Sequence, residues 1–324
     1  MERLALSASM LAAVILPGLC DNTLAQEYPT KTIRVIVPYV PGGGTDIAAR
    51  VIGHKLTERW GQQIVVENRG GAGGNIGTEL ASRAAPDGYT YLINSAGPMV
   101  INPSLFAKLP FDPVKDFAPV ALLAPTYYLL ITHPSVPTKS VRELIALAKQ
   151  RPDRLVLASP GIGTPPDLTG EMFKNLADIK AVSVLYKGTG QALAEVVAGQ
   201  ASFMFCDVIA AISFVKSGRV KPLAVATPKR IGQFPEVPTL AEAGVPWDAL
   251  GWTALFLPAG APAPIIRKLS SEVRSILKLP DVQERLGNDG SDFGENTPEY
   301  LAAYVKSETA KWAKVVKVSG RRVE

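Results

Sequence analysis

The stretch from Thr32 to Asp46, Thr-Ile-Arg-Val-Ile-Val-Pro-Tyr-Val-Pro-Gly-Gly-Gly-Thr-Asp, restricts the chain to few architectures. Its first part, through Val37, is rich in β-branched residues and reads as a buried strand. Pro38 ends the strand, and Gly42, Gly43 and Gly44 form a loop. Thr45 and Asp46 then open an apolar-periodic segment (Ile47, Ala48, Val51, Ile52, Leu56) that predicts a helix over 45–60, stopped by Gly61. Loop amides and first-turn amides of such a turn converge on one point, which favours an anion. The loop lacks the lysine of a phosphate-binding P-loop. It also fails G-x-G-x-x-G, because Ile47 stands where the third glycine belongs. Two readings stay open on these residues alone: a seat for a small carboxylate, or a tight turn with Thr45 or Asp46 as helix cap.

The pattern recurs. A strand over 63–67 leads to Asn68-Arg-Gly-Gly-Ala-Gly-Gly-Asn75 and a helix over 76–85, then a strand over 89–94 ending at Ser95-Ala96-Gly97. This alternation predicts a parallel sheet with right-handed crossovers, its glycine loops at the carboxyl edge where open α/β sheets bind ligands. Strands over 120–124 and 127–132 flank Pro125. Ser140 and Glu143 form a capping box for a helix over 141–150. A second set follows: strand 155–158, loop Ser159-Pro-Gly-Ile-Gly-Thr164, helix 168–176, strand 182–185, loop Tyr186-Lys-Gly-Thr-Gly190 and helix 191–198. A strand over 201–205 then ends at Cys206-Asp207, and a helix over 209–217 and a strand over 220–227 complete the set. Further helices are expected over 239–244, 262–278, 280–286 and 297–318, with a strand over 252–257. Two similar halves, each with a glycine loop at a strand end, predict a cleft between lobes.

The N-terminus begins Met-Glu-Arg, runs apolar from Leu4 to Leu19, and reaches Thr23-Leu-Ala25. That is a secretory leader with cleavage after Ala25, too short to span a bilayer. Cys20 offers a lipoprotein alternative, against which Leu19 stands where a small residue is wanted. Removing Glu2, Arg3 and Asp21 leaves 33 basic and 27 acidic residues from the 34 and 29 of the whole chain. The resulting charge near +6 is thinly spread, which argues against a nucleic-acid surface and for mild attraction of anions. Cys206 alone then remains, within an apolar run, so it is expected to be buried and without an intrachain disulfide. The two histidines, His54 and His133, lack metal-ligand company, no metal site or cofactor is expected, and no G-x-S-x-G is present. These residues do not suggest an enzyme.

Tyr28-Pro29, Pro41-Gly-Gly-Gly-Thr-Asp46, Glu67-Asn-Arg-Gly-Gly-Ala-Gly-Gly-Asn-Ile-Gly77, Pro86-Asp-Gly-Tyr-Thr90, Tyr186-Lys-Gly-Thr-Gly190, Ala198-Gly-Gln200, Leu223-Ala-Val-Ala-Thr227, Pro235-Glu-Val-Pro-Thr-Leu-Ala-Glu-Ala-Gly244 and Trp252 occur in that order. The ordered set resembles the Bug family, the extracytoplasmic receptors of tripartite tricarboxylate transporters, over essentially the whole mature chain. The resemblance implies a periplasmic, two-lobed Venus-flytrap fold of the α/β class, each lobe a sheet flanked by helices. It implies a receptor, not an enzyme, for a small organic carboxylate: a di- or tricarboxylate, an amino acid or an aromatic acid. The implied partners are membrane transporter subunits; the alternatives are a ligand sensor for a membrane signalling protein and, ranked below it, an enzyme acting on a carboxylate in the cleft, and the protein is expected to be a monomer.

Carried onto this chain, the ligand contacts implied are Tyr39, Gly42, Gly43, Gly44, Thr45 and Asp46 in lobe one, and Ser159, Gly161, Ile162, Gly163 and Thr164 in lobe two. Asn75, Ser95 and Ala96 lie on neighbouring loops, and Asp207 would meet an amine, hydroxyl or water at the ligand's other end. Asp167 departs from the histidine common at its place, and is expected to cap a helix beginning at Leu168. The expected division is a leader over 1–25, lobe one over 26–124 and 228–324, and lobe two over 125–227. Hinges are expected near Ala124 to Thr126 and Thr227 to Arg230.

Overall fold

The computed structural model describes residues 28–286, 296–319, 322 and 323. The leader, its cleavage after Ala25 and Cys20 lie outside them. In chain order the first elements are β1 (Ile33–Val37), α1 (Gly44–Trp60), β2 (Ile64–Asn68), α2 (Asn75–Ser82), β3 (Thr90–Ser95), α3 (Asn102–Leu105) and β4 (Phe117–Thr126). Then come β5 (Tyr128–Thr132), α4 (Val141–Gln150), β6 (Val156–Ser159), α5 (Pro165–Ala177), β7 (Val182–Leu185), α6 (Thr189–Val197), β8 (Phe203–Asp207), α7 (Val208–Lys216) and β9 (Lys221–Val225). The chain closes with β10 (Gly251–Pro258), α8 (Ala263–Ile276), α9 (Pro280–Arg285) and α10 (Pro298–Ser319).

Two five-stranded sheets result, ordered β2-β1-β3-β10-β4 and β7-β6-β8-β5-β9. The predicted parallel ladders form, β1 with β2 and β3, and β6 with β7 and β8. The sheets as wholes are mixed, because the crossing strands join these parallel sets antiparallel. The chain crosses to the second sheet through β5 and returns through β10, and both of these strands pair antiparallel with each neighbour. Tyr127 alone separates β4 from β5. Pro119 and Pro125, expected to lie outside strands, sit within β4; it is an edge strand with register shifts against β10, the setting in which a sheet tolerates proline.

β1 is buried on both faces, as its branched composition requires. Ile33, Val35 and Val37 pack with Ile52 and Leu56 of α1 and Leu269 and Val273 of α8. Ile36 faces the opposite way, into a core shared with Trp252, Leu301 and Trp312. That second core continues into Phe173, Phe203 and Phe205 of the other sheet. Trp252 is fully buried, its ring edge-on to Tyr304 at 6.1 Å.

Local signals explain most boundaries. Ser140 Oγ accepts from the Glu143 N–H at 3.2 Å, and α4 spans the expected residues. The glutamate reaches back one residue further than a capping box would, to the Lys139 N–H at 2.7 Å. Thr239 and Glu242 make both reciprocal bonds of such a box, at 3.1 and 2.8 Å, yet no helix forms. Gly244, at φ +93°, and Pro246 stop the chain within one turn.

Candidate functional site

The two sheets turn their strand ends toward one another, and the loops leaving β1 and β3 face those leaving β6 and β7. Between them lies a cavity lined by Tyr39, Gly43, Gly44, Thr45 and Ser95 on one side. Pro160, Thr164, Pro165, Pro166, Thr189 and Asp207 line the other, with Thr126 and Tyr128 at the crossing. The cavity measures about 30 Å³, room for a water or two, so admitting a metabolite requires the lobes to part.

On lobe one the wall is the first turn of α1. Gly43 holds the cap position with extended backbone and no side chain to offer, so the early amides of α1 stay uncapped. The Gly44 N–H donates to Asp207 Oδ2 at 2.9 Å. The N–H groups of Gly43 and Thr45 find no acceptor among the described residues. Asp46 faces away from the cavity. Its carboxylate accepts from the Gly42 N–H, Asn68 Nδ2 and Arg50 Nε, each at 3.0 Å, and so ties the loop between β1 and α1 to β2. Tyr39 Oη lies 2.7 Å from Ser95 Oγ, and burial raises its phenol above the ordinary tyrosine range.

Lobe two is arranged differently. The Thr164 side chain, not that of Asp167, caps α5 by accepting from the Asp167 N–H at 3.3 Å. The helix therefore begins at Pro165, three residues before the expected start, because prolines at its first two positions need no amide partner. Asp167 is a first-turn residue, and it accepts from Ser159 Oγ at 2.6 Å and from the Gly163 N–H at 3.1 Å. The Thr164 N–H donates to the Gly161 carbonyl at 3.2 Å. The Gly161 N–H makes a long bond of 3.4 Å to Ser159 Oγ. The amides of this loop are thus consumed within it, save that of Ile162, which does not line the cavity. The expected pair of amide cradles, one per lobe, is in this closed form a single cradle on lobe one.

Of the residues singled out in the sequence, Tyr39, Gly43, Gly44, Thr45, Ser95, Thr164 and Asp207 meet at the cavity. Gly42, Asp46, Asn75, Ala96, Ser159, Gly161, Ile162 and Gly163 lie behind or beside it. Asn75 Oδ1 accepts from Asn102 Nδ2 at 2.6 Å, and Ala96 is fully buried. Tyr128, Thr126, Thr189 and the prolines of α5 are contributions that sequence reading did not single out. Thr189 Oγ1 donates to Asp207 Oδ2 at 3.1 Å. Burial raises the Asp207 carboxyl above its ordinary value, with the bonds from Gly44 and Thr189 working against that shift. Among the described residues lining the cavity there is no Lys, Arg or His. Among all described residues, no group of three His, Cys, Asp or Glu is placed to hold a metal.

The glycines around the rim serve closeness. A Cβ on Gly70 would stand 3.1 Å from the Lys187 carbonyl, and one on Gly97 would stand 3.2 Å from the Gly163 carbonyl. One on Gly161 would lie 3.6 Å from Gly73 Cα. The lobes meet backbone to backbone along two glycine-lined lips.

Two α/β lobes joined by crossing strands, with a cleft at their facing strand ends, define the solute-binding-protein fold. The family model for the tripartite tricarboxylate transporter family receptor matches residues 48–320, and the chain belongs to that family. It is 32% identical over 309 residues to Protein BugT of Bordetella pertussis, covering 95% of each chain. Rpa4515 of R. palustris, solved with adipate, superposes with a TM-score of 0.88 at 32% identity over 92% of this chain and all of that one. MatC of Rhodopseudomonas palustris, solved with bound malate, gives 0.82 at 34% identity over 89% of this chain and all of that one.

Proposed function

We propose that this receptor binds a small organic carboxylate in the cleft and presents it, in the periplasm, to the membrane subunits of a tripartite transporter, with no turnover of the ligand. The observation that carries this reading is the first turn of α1: Gly43 and Thr45 line the cavity, and their amides have no acceptor among the described residues. A carboxylate supplies the acceptors they lack, and the helix N-terminus adds roughly 0.3–1 kcal/mol, more where water is excluded. The hydroxyls of Tyr39, Ser95, Tyr128 and Thr189 complete a polar lining able to orient it. Malate and adipate in two related receptors support the ligand class.

Two lobes, residues 26–124 with 228–324 and residues 125–227, move about the crossings near Ala124 to Thr126 and Thr227 to Arg230. The receptor acts as a monomer, and residues 1–25 direct its export and are removed by cleavage after Ala25. No helix among the described residues is long and apolar enough to cross a membrane.

A thermal-shift screen of carboxylates at neutral pH tests the reading. A ligand present at a hundred times its Kd adds about 2.7 kcal/mol of stability, a shift of several degrees in melting temperature. At least one di- or monocarboxylate is expected to produce it, recovered unchanged by mass spectrometry. A flat response across the screen would sink the ligand class, and conversion to product would make the protein an enzyme.

A further inference from the structure

Asp207 stands at the cap position of α7, where an aspartate ordinarily accepts from first-turn amides of its own helix. It makes no such bond. Its Oδ2 instead takes the Gly44 N–H from across the cleft at 2.9 Å and the Thr189 hydroxyl at 3.1 Å. Gly44 is the first residue of α1 and Thr189 the first of α6, so three helix N-termini converge on one buried carboxylate. Two of these helices belong to its own lobe and the third to the other. The approach is close: a Cβ on Gly44 would lie 3.1 Å from both Cγ and Oδ2 of Asp207, so the carboxylate would have to give way by a few tenths of an ångström. This is a charge-assisted bond between the lobes, of the strong kind when buried.

We infer that Asp207 is a positioning residue that clasps the lobes shut through the amide of Gly44, and that ligand affinity depends on this clasp. The affinity half rests on the solute-receptor reading; the closure half does not. The clasp uses the Gly44 amide and leaves those of Gly43 and Thr45 for the carboxylate of a ligand held between the lobes. Apparent affinity scales with the population of the closed state, so weakening closure weakens binding in proportion.

The test compares wild type with Asp207→Ala and Asp207→Asn by small-angle X-ray scattering without ligand, then by titration with malate and with adipate. The ligand-free Ala variant is expected to show a larger radius of gyration than wild type. The Asn variant, whose amide oxygen still accepts from Gly44, should lie between them. Whichever diacid binds wild type should bind the Ala variant about tenfold more weakly, chiefly through faster dissociation, with partial recovery in Asn. Gly44→Ala, which pushes a methyl into the carboxylate, should open the protein likewise, and adding it to Asp207→Ala should open it no further. An unchanged radius in Asp207→Ala overturns the clasp whatever the affinity does. A swollen Ala variant with wild-type affinity overturns its bearing on binding. Wild type that binds neither diacid removes the support for the affinity half, while the scattering comparison still decides the clasp.

Discussion

Gly190→Ala is expected to weaken ligand binding by about a hundredfold or more while leaving the melting temperature unchanged or slightly higher. Gly190 is the second residue of α6, in helical backbone, where alanine is favoured over glycine by up to about 1 kcal/mol. The atoms nearest the added methyl all belong to the other lobe. Across the cleft it would strike the Pro41 carbonyl, far inside the roughly 3.3 Å of an ordinary carbon–oxygen approach. Backbone, unlike a flexible side-chain tip, cannot step aside cheaply, and Gly42 behind it already lies against Gly190. The variant therefore folds and stays open. Calorimetric titration with a ligand of the wild-type protein, alongside a thermal melt, checks both halves of the expectation. Wild-type affinity in this variant would mean that the lips do not meet in the bound state.

Asn296→Ala is expected to destabilise the fold by about 2–5 kcal/mol, read as a fall in the urea midpoint at constant slope. β4 is an edge strand, and the outward N–H and C=O of Leu122 have no neighbouring strand. The Asn296 side chain supplies what a strand would: its Oδ1 accepts from the Leu122 N–H at 2.8 Å, and its Nδ2 donates to the Leu122 carbonyl at 2.9 Å. The site is buried, so alanine leaves both backbone groups unpaired away from water. Asn296 also sits at φ +44°, a region asparagine tolerates better than alanine. A midpoint for the Ala variant within about 0.5 kcal/mol of wild type would show that the edge is satisfied in some other way.

The alternating strands, loops and helices were legible because their signals are local. The β-branched run of β1, the capping of α4 by Ser140 and the glycine after α1 each act within a few residues. At Asp167 the signal is local: a threonine three residues before an acid, with prolines between, marks the start of α5 at Pro165, and the expected cap misplaces it by three residues. Signals failed where distant chain decides. Thr189 reads as part of a Gly-Thr-Gly turn, because its partner Asp207 arrives from another strand. The glycines misled most. Their density suggests amides gathered around an anion, and at Gly43 that reading has a physical basis. At Gly70, Gly97 and Gly190 what matters is the opposing lobe's backbone, a distance set only when both lobes are built. The capping box at Thr239 formed without its helix because Gly244 and Pro246 outweighed it.

The most direct measurement is a crystal structure of the receptor grown with the carboxylate that most raises its melting temperature. One ligand carboxylate should lie between the lobes, within hydrogen-bonding distance of the Gly43 and Thr45 amides. A ligand bound with those two amides turned to water, or held outside the space between Gly43 and Thr164, would contradict the assignment of this cleft.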